Sequence, residues 1–522
     1  MGGIILGQAL LYGPSLIGKK ILLPLDLLAM PDMYLPATPD AEKMEPHDRC
    51  RSDLVLQWEP ARQFAVAEFQ ARRFPMWTPD QYAGAPFVWP KFSPFLMLEC
   101  CTASPVILAW AQLFAAVVAG IGAYLFFRRA LAVHFWAAVI PAWCYPLTGF
   151  FVFWQGFPTN GAVYWLPWLL LMVDRAIRRT SPRAVTGASL VTGLALTSGA
   201  LDVAGQVVLV SGLYAAWCWW DAYPGRWFQR PARWALSATA TGCLLGFLLA
   251  APYWLPLVEY AHTGVRMVQR AAGREERPPV GLTALPQTVL PDMYGAMRTG
   301  SLYLMNGNQS ESAAAAYAGL LATLFVAPLA WCSRRHRSSN LFWSLLIFFS
   351  LSWCLNVPGL VALLRLPGLN MMSHNRLVFA ASFAILAMTA VGLDVLWLGG
   401  IRRRGWFWFP VVVLAGLYAW CFYRAINLPE PLATQIQQTL AQGKHVSWIR
   451  NTDDLERVQA WFTRTYTMGV VLCGLGLLGW LLLWLRQTWP RWAVPALGFL
   501  LLADLLWFAH DRSAQCDPAL GE

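Results

Sequence analysis

An all-α, polytopic membrane protein is the fold class that the sequence predicts, and three observations predict it. The 522 residues are 57% hydrophobic and only 13% charged, where a soluble domain is about one-quarter charged. Apolar runs recur along the chain, such as "VILAWAQLFAAVVAGIGAYLFF" ending at Phe127 and "LVFAASFAILAMTAVGL" ending at Leu393. Each is long enough to cross about 30 Å of hydrocarbon as a helix. Basic clusters abut these runs at alternate turns of the chain: Arg128-Arg129, Arg175 to Arg183, Arg226 to Arg233, Arg334 to Arg337 and Arg402 to Arg404. That is how cytoplasmic loops are marked. The clusters account for the net charge of +11, so the basic excess calls for a lipid bilayer and no nucleic acid.

With the basic loops as fixed points, the chain divides into about 13 spans. The first is a short run from Ile4 to Ile17. The others lie at roughly 105–127, 134–154, 162–174, 185–199, 204–220, 235–257, 313–332, 341–355, 376–399, 406–423, 464–485 and 493–509. Several are short, and two pairs turn back almost at once, around Gln155 to Gly161 and around Gly199 to Asp202. Backbone of that kind is tolerated where it lines protein rather than lipid. The amino terminus and basic loops are then inside. The polar sequence falls outside in three blocks, 18–104, 259–312 and 424–463, with a shorter one from Asn356 to Arg376. None is large enough for a core of its own, so the expectation is a single membrane-embedded domain overlaid by short helices and loops.

Eleven cysteines show no metal spacing, and most sit in spans as small hydrophobes. Cys50, Cys100, Cys101 and Cys516 are expected outside, where their pairing is open.

The first external block carries the most local information. In "SDLVLQWEPARQFAVAEFQARRF", Ser52-Asp53 reads as a helix start. Ala61, Phe64, Ala65 and Phe69 follow at helical spacing, with Arg62, Gln63, Gln70 and Arg73 elsewhere. This is expected to be an interfacial helix lying apolar side down. The next stretch, "RFPMWTPDQYAGAPF", suits neither helix nor alternating strand. It reads as a surface loop stiffened by Pro75, Pro79 and Pro86, returning at Gly84, with Trp77 and Tyr82 as stacking faces for sugar or headgroup.

The string "SDLVLQWEPARQF…RRFPMWTPDQYAGAPFVWPKFSPF" resembles the first-loop signature of the bacterial YfhO-like membrane protein family. Further similar segments stand in order along the chain. They are "IGKKILLPLDLL", "VLPDMYGA", "ESAAAAYAGLLATL", "LLRLPGLNMMSHNRLVFAASFAILAMTAVGLDVL" and "AQCDPALGE". Two departures stand out. The family's "GHP" reads "SGALDVAGQ" here, with Asp202 near the histidine position, and of its "R.P.R" run only Arg376 is kept, beside His374 and Asn375.

Such proteins are similar to the GT-C superfamily of membrane glycosyltransferases. The resemblance implies a bacterial cytoplasmic-membrane enzyme that moves a sugar from a polyprenyl-phosphate carrier to an envelope glycan or lipid acceptor on the external face. It places the catalytic acid in the first external loop, hence on Asp53, which precedes the signature's Gln57 and Pro60. Asp26 is the next candidate and Asp48 the third.

The chemistry is consistent with the residues themselves. Transfer to a hydroxyl needs a base, and a carboxylate at the interface serves. The leaving phosphate needs positive charge, for which arginine's planar fork is suited. The arginines expected outside are Arg376 at a helix mouth beside His374, Arg365, and Arg266 or Arg270. Glu259 is a candidate second acid or metal ligand; a divalent metal is left open, with no ligand cluster in the sequence. Two other classes compete. A lipid or polysaccharide transporter or flippase would bury acids in mid-span, and Asp504 is the clearest such residue, with Asp174, Asp221 and Asp394 near inner ends. A non-catalytic envelope-assembly partner could share the same body.

Overall fold

The computed structural model describes the chain apart from residues 30–50, 82, 90–91, 266–267, 270–271, 273–280, 297–300, 302–303, 309–311, 367, 402–404, 445, 447–448, 487–488 and 522. Helix makes up 72% of it, and the described strands form one two-stranded ladder, so the class is all-α. Among the described residues, seven helices are long and apolar enough to cross a membrane: Ile107–Arg129, Phe135–Phe153, Leu201–Ala222, Arg230–Leu249, Val378–Leu398, Gly405–Ile426 and Thr452–Leu485. Shorter or less apolar helices fill the other expected positions, including Gly2–Leu16, Leu166–Arg179, Pro182–Thr197, Arg337–Cys354 and Ala493–Ala509.

Val378–Leu398 is apolar on every side, and a helix of that kind must be surrounded. Its most apolar window is 100% buried, against 28% for Arg230–Leu249 and 22% for Gly405–Ile426, which marks it as the centre and those two as periphery. Phe383 meets Phe126, Phe127, Tyr145 and Trp343. Gly392 lets the neighbouring backbone in, since a Cβ there would lie 2.2 Å from the Val326 carbonyl oxygen.

Helix ends sort to two faces. On one, Arg178 pairs with Asp221 at 2.8 Å, Asp394 accepts from the His134 amide at 2.6 Å, and His336 meets the Leu131 carbonyl at 2.9 Å. This face carries the arginine pairs. On the other, the Trp110 indole donates to Leu16 at 3.1 Å, Tyr253 to Gly199 at 3.1 Å and Tyr466 to Met293 at 2.8 Å. This second face, the loop face, collects the long connections.

Three elements differ from the sequence expectation. The run 235–257 is not continuous: Arg230–Leu249 stops at Ala250, and a separate helix, Ala251–His262, follows with Pro252 in its first turn. The run 313–332 is a chain of short turns, 3-10 at Ala314–Ala316, π at Ala322–Val326 and 3-10 again at Ala330–Cys332. The helix expected over 464–485 begins earlier, at Thr452, where Asn451 accepts the Asp454 amide at 2.8 Å and Asp454 accepts the Arg450 amide at 2.9 Å. That reciprocal cap fixes the start.

The two abrupt reversals seen in the sequence lock onto each other. A Cβ on Gly161 would sit 1.7 Å from the Ser198 carbonyl oxygen, and one on Gly199 would sit 1.9 Å from that of Pro158. Because both obstacles are backbone, neither side chain rotation nor local slack relieves them. Gly161→Ala is therefore expected to cost about 1–3 kcal/mol or more by overpacking. Gly212→Ala, with nothing within 4 Å, is expected to be neutral or mildly stabilising by up to about 1 kcal/mol. Thermal unfolding of the two variants in detergent checks the contrast.

Candidate functional site

The loop-face site begins at Arg51. Its guanidinium is buried and donates to the Val152 carbonyl at 2.9 Å, which anchors the start of the first-loop helix. That helix runs as a π turn, Leu54–Trp58, into Glu59–Gln70. Leu54 packs on Gly156, whose φ of +82° favours glycine and where a Cβ would crowd Leu54 at 3.2 Å. Asp53 precedes Leu54 as the helix cap, with no side-chain cap bond. Asp53 is exposed, and so is Gln57, four residues on and hence on the same helix face.

The expected orientation of this helix is corrected at Arg62. Placed by its spacing on the wet side, Arg62 is 1% exposed. It grips both Glu59 oxygens at 2.8 and 2.7 Å and donates to the carbonyls of Glu99, Thr102 and Ala103 at 3.1, 3.0 and 3.0 Å. Those carbonyls end the helix Pro94–Glu99 and its trailing turn, where intrahelical partners run out and positive charge is favoured. All five guanidinium donors are thus used, three in closing a helix end and two on Glu59. The apolar stripe instead meets the hairpin that follows: Phe64 on Phe87 and Phe69 on Phe74.

Beneath this helix lies a cavity of about 40 Å³, room for a few water molecules. Trp58, Trp89, Glu59, Arg62, Glu99 and Gln112 line it. Burial pushes the Glu99 carboxyl up to about 8 against the pull of Arg62, with Glu59 adding a smaller push. No hydrogen bond holds that carboxyl among the described residues. An acid whose pKa is displaced toward neutrality in a cleft is a functional-site feature. The sequence reading missed both Glu99 and Glu59. A signal was present, since Glu99 ends a helix, where a negative charge opposes the helix dipole.

A second group stands on the same support. The segment Gly149–Phe153 leads to Trp154, whose ring lies 5.1 Å from the Arg376 guanidinium carbon. Nη1 of Arg376 contacts both Asp202 oxygens at 3.0 and 2.8 Å. Asp202 also accepts from the Ser373 hydroxyl and the Val203 amide, each at 2.9 Å, and Gln206 donates to the Ser373 carbonyl at 2.7 Å. His374 is buried beside this pair. The expectation of an open arginine fork is thus corrected: Arg376 is already matched by an acid, and its Nε is buried without a partner.

The remaining candidates are scattered. Asp26 is 4% exposed, its carboxyl against the Cys516 thiol, so it is sealed from an acceptor rather than offered to one. Trp77 is 58% exposed and sits in a short ladder, Trp77–Thr78 with Ala85–Pro86, rather than in an unpaired loop. Its ring covers Gly84, whose φ is +116°. Glu259 is exposed on Ala251–His262, joined to nothing by hydrogen bond among the described residues. Tyr82, Arg266, Asp48, Cys50, Arg270 and the side chain of Arg365 lie outside the described residues. Cys100, Cys101 and Cys516 are free thiols. No three histidine, cysteine or acidic side chains gather as a metal site among the described residues.

No protein-family model matches the chain, and neither a curated protein nor a solved structure does.

The raised Glu99 pKa has a definite sign. Folded Glu99 keeps its proton up to about 8, whereas the ordinary carboxyl loses it near 4.5. Its contribution to stability is therefore present below 4.5 and is lost as pH rises toward 8. In pH-difference infrared spectra we expect a protonated-carboxyl band that disappears around pH 8. Glu99→Gln should lack it and should lose less thermal stability between pH 6 and pH 9. An unchanged band in Glu99→Gln would assign that proton elsewhere.

Proposed function

We propose that the chain is a GT-C-type membrane glycosyltransferase of about 13 spans, set in a bacterial cytoplasmic membrane with its loop face outward. It moves a sugar from a polyprenyl-phosphate carrier to an envelope acceptor. The observation that carries the reading is the shared support at the loop face. Arg51, held on Val152, presents an exposed Asp53, while Trp154, two residues further along that segment, backs Arg376. One short stretch of backbone thus relates a free carboxylate to a cation.

In this mechanism Asp53 takes the proton of the acceptor hydroxyl as its oxygen attacks the anomeric carbon. The bond from that carbon to the carrier phosphate breaks, and the phosphate leaves with the electron pair. Beyond the Nη1 bonded to Asp202 and the buried Nε, Arg376 keeps the N–H donors of Nη2, and these bond the phosphate. Gln57, on the Asp53 face, meets sugar or acceptor hydroxyls. The transporter reading draws less support. Asp504, the mid-span acid on which it leaned, accepts the Tyr317 hydroxyl and the Leu321 amide, which occupies it as a cap for a neighbouring turn.

Reconstituted protein with a polyprenyl-phosphate-linked sugar should release polyprenyl phosphate only when acceptor is present. Asp53→Asn keeps the shape and removes the base, so release should fall by about a hundredfold or more with carrier binding retained. A wild-type rate in Asp53→Asn would remove Asp53 from the mechanism, and release by neither protein would return the choice to a transporter or an assembly partner.

The orientation is tested separately. A reporter active only outside the cytoplasm should work when fused after Arg73 and be silent after Arg179, as the arginine-marked face requires. The reverse result would put Asp53 in the wrong compartment.

A further inference from the structure

On the loop face a second cavity of about 80 Å³ opens between the outer parts of Thr452–Leu485 and Ala493–Ala509, with Arg512 of its wall 5.3 Å from the Phe153 ring. Its wall combines Trp461, Arg464, Thr465, Trp507, His510 and Arg512. Two carboxylates, Asp292 and Asp511, share the wall, and each has a basic neighbour. Arg512 is fixed by Asp292 and by the Phe508 carbonyl at 2.6 Å, and its guanidinium lies 4.4 Å from the Phe508 ring. Asp511 pairs with His510 at 3.1 Å. Arg464 stacks 4.5 Å above the Trp507 ring and meets no acid among the described residues. Stacking of that kind holds a guanidinium plane while leaving its edge donors open.

We propose that this cavity binds the phosphate group of a membrane lipid, with Arg464 as the donor fork. The position is right for a headgroup. The apolar run of Ala493–Ala509 ends here, and tryptophans mark the level at which hydrocarbon gives way to headgroups. The chemistry is right as well. A weakly hydrated, planar, unmatched guanidinium beside a hydroxyl donor, Thr465, recognises phosphate oxygens through two bonds at once. The second guanidinium, Arg512, is held in place by Asp292, which offsets its charge, so the attraction for an anion rests on Arg464. The cavity holds several water molecules' worth of space, which suits a phosphate group. This site stands apart from the transfer reading and survives its failure, because none of its residues takes part in that chemistry.

The test is the affinity of delipidated, detergent-purified full-length protein for phosphatidic acid and for diacylglycerol with the same tails, read by native mass spectrometry. Wild-type protein should prefer phosphatidic acid by at least about tenfold, as charge-assisted bonds imply. Arg464→Gln should lose that preference, and Arg464→Lys, with charge but no fork, should keep part of it. Arg424 supplies the control. It also lies over an aromatic ring, Trp420 at 4.6 Å, yet does not line the cavity, so Arg424→Gln should bind as wild type does. Displacement of phosphatidic acid by millimolar inorganic phosphate would assign recognition to the phosphate alone; retention would assign it to phosphate together with the tails. Equal affinity for the two lipids, or an equal loss in Arg424→Gln, would overturn the proposal. Unchanged thermal unfolding of Arg464→Gln separates lost binding from lost fold.

Discussion

Everything in this molecule depends on surrounding one helix. Val378–Leu398 has no polar face to give to lipid headgroups or water, and its most apolar window is wholly buried. Enclosing it demands close neighbours, and close neighbours demand small residues and broken helices. Phe135–Phe153 is interrupted at Tyr145–Leu147 yet stays 83% buried. The interruption frees backbone donors at a depth where water cannot satisfy them. One is caught directly, since the Gly149 amide donates to the Tyr317 carbonyl at 2.7 Å. A side chain on Gly149 would lie 2.6 Å from the Ala314 oxygen, so the bond exists only because glycine allows the approach. Irregular backbone inside a membrane protein is stable when another irregular segment completes it, and here 145–165 and 312–326 complete each other.

The same demand explains the acids. In hydrocarbon an unpaired carboxylate is costly, and those in or beside the spans have definite partners. Asp174 binds Arg178 at 3.0 Å, Asp202 binds Arg376, Asp394 receives the His134 amide, and Asp504 receives Tyr317 and Leu321. Two of these partners are backbone amides at the start of a helix or turn, where donors run unpaired. Their burial thus serves helix ends and ion pairs. An ion-coupled carrier needs a mid-membrane acid free to exchange its partner, and Asp504 is tied on both oxygens.

Much of the architecture was legible in the sequence because hydropathy and arginine placement are local signals. Most of the expected apolar runs from 105 onward contain helix, seven of them long and apolar enough to cross a membrane among the described residues. The misreadings share one cause. The spacing of Ala61, Phe64, Ala65 and Phe69 correctly described an apolar stripe, but what Arg62 faces is decided by carbonyls some 40 positions away. Likewise Arg376 reads as an open cation until Asp202, 174 positions earlier, is brought beside it. Breaks in 313–332 are invisible to hydropathy, which measures what a segment is made of and not what it must bend around. The exposed face shared by Asp53 and Gln57 rests on the i and i+4 relation, which is local.

The Asp202–Arg376 pair limits any chemistry at this site. A phosphate arriving at Arg376 meets a guanidinium whose Nη1 already serves a carboxylate, and that carboxylate is itself held by Ser373 and by the Val203 amide. The anion has two routes. It displaces Asp202, which must then keep its charge on the two remaining donors, or it binds the outer edge of Arg376 and shares the cation. Displacement is expensive, because removing one partner from a half-buried pair leaves the other charge poorly solvated. Sharing is cheaper: Trp154 covers one side of the guanidinium, Nη1 is spent on Asp202 and Nε is buried, which leaves Nη2 for the anion. A ligand bound by sharing feels both the arginine and the neighbouring carboxylate, so its net attraction is weak unless its own charge exceeds one. A phosphate monoester near neutral pH satisfies that condition with about −1.5 to −2 units of charge, and a singly charged diester does not. Arg376 in this setting therefore favours the more highly charged anion, and under the proposed transfer it would hold a product monoester more firmly than the diester from which it leaves.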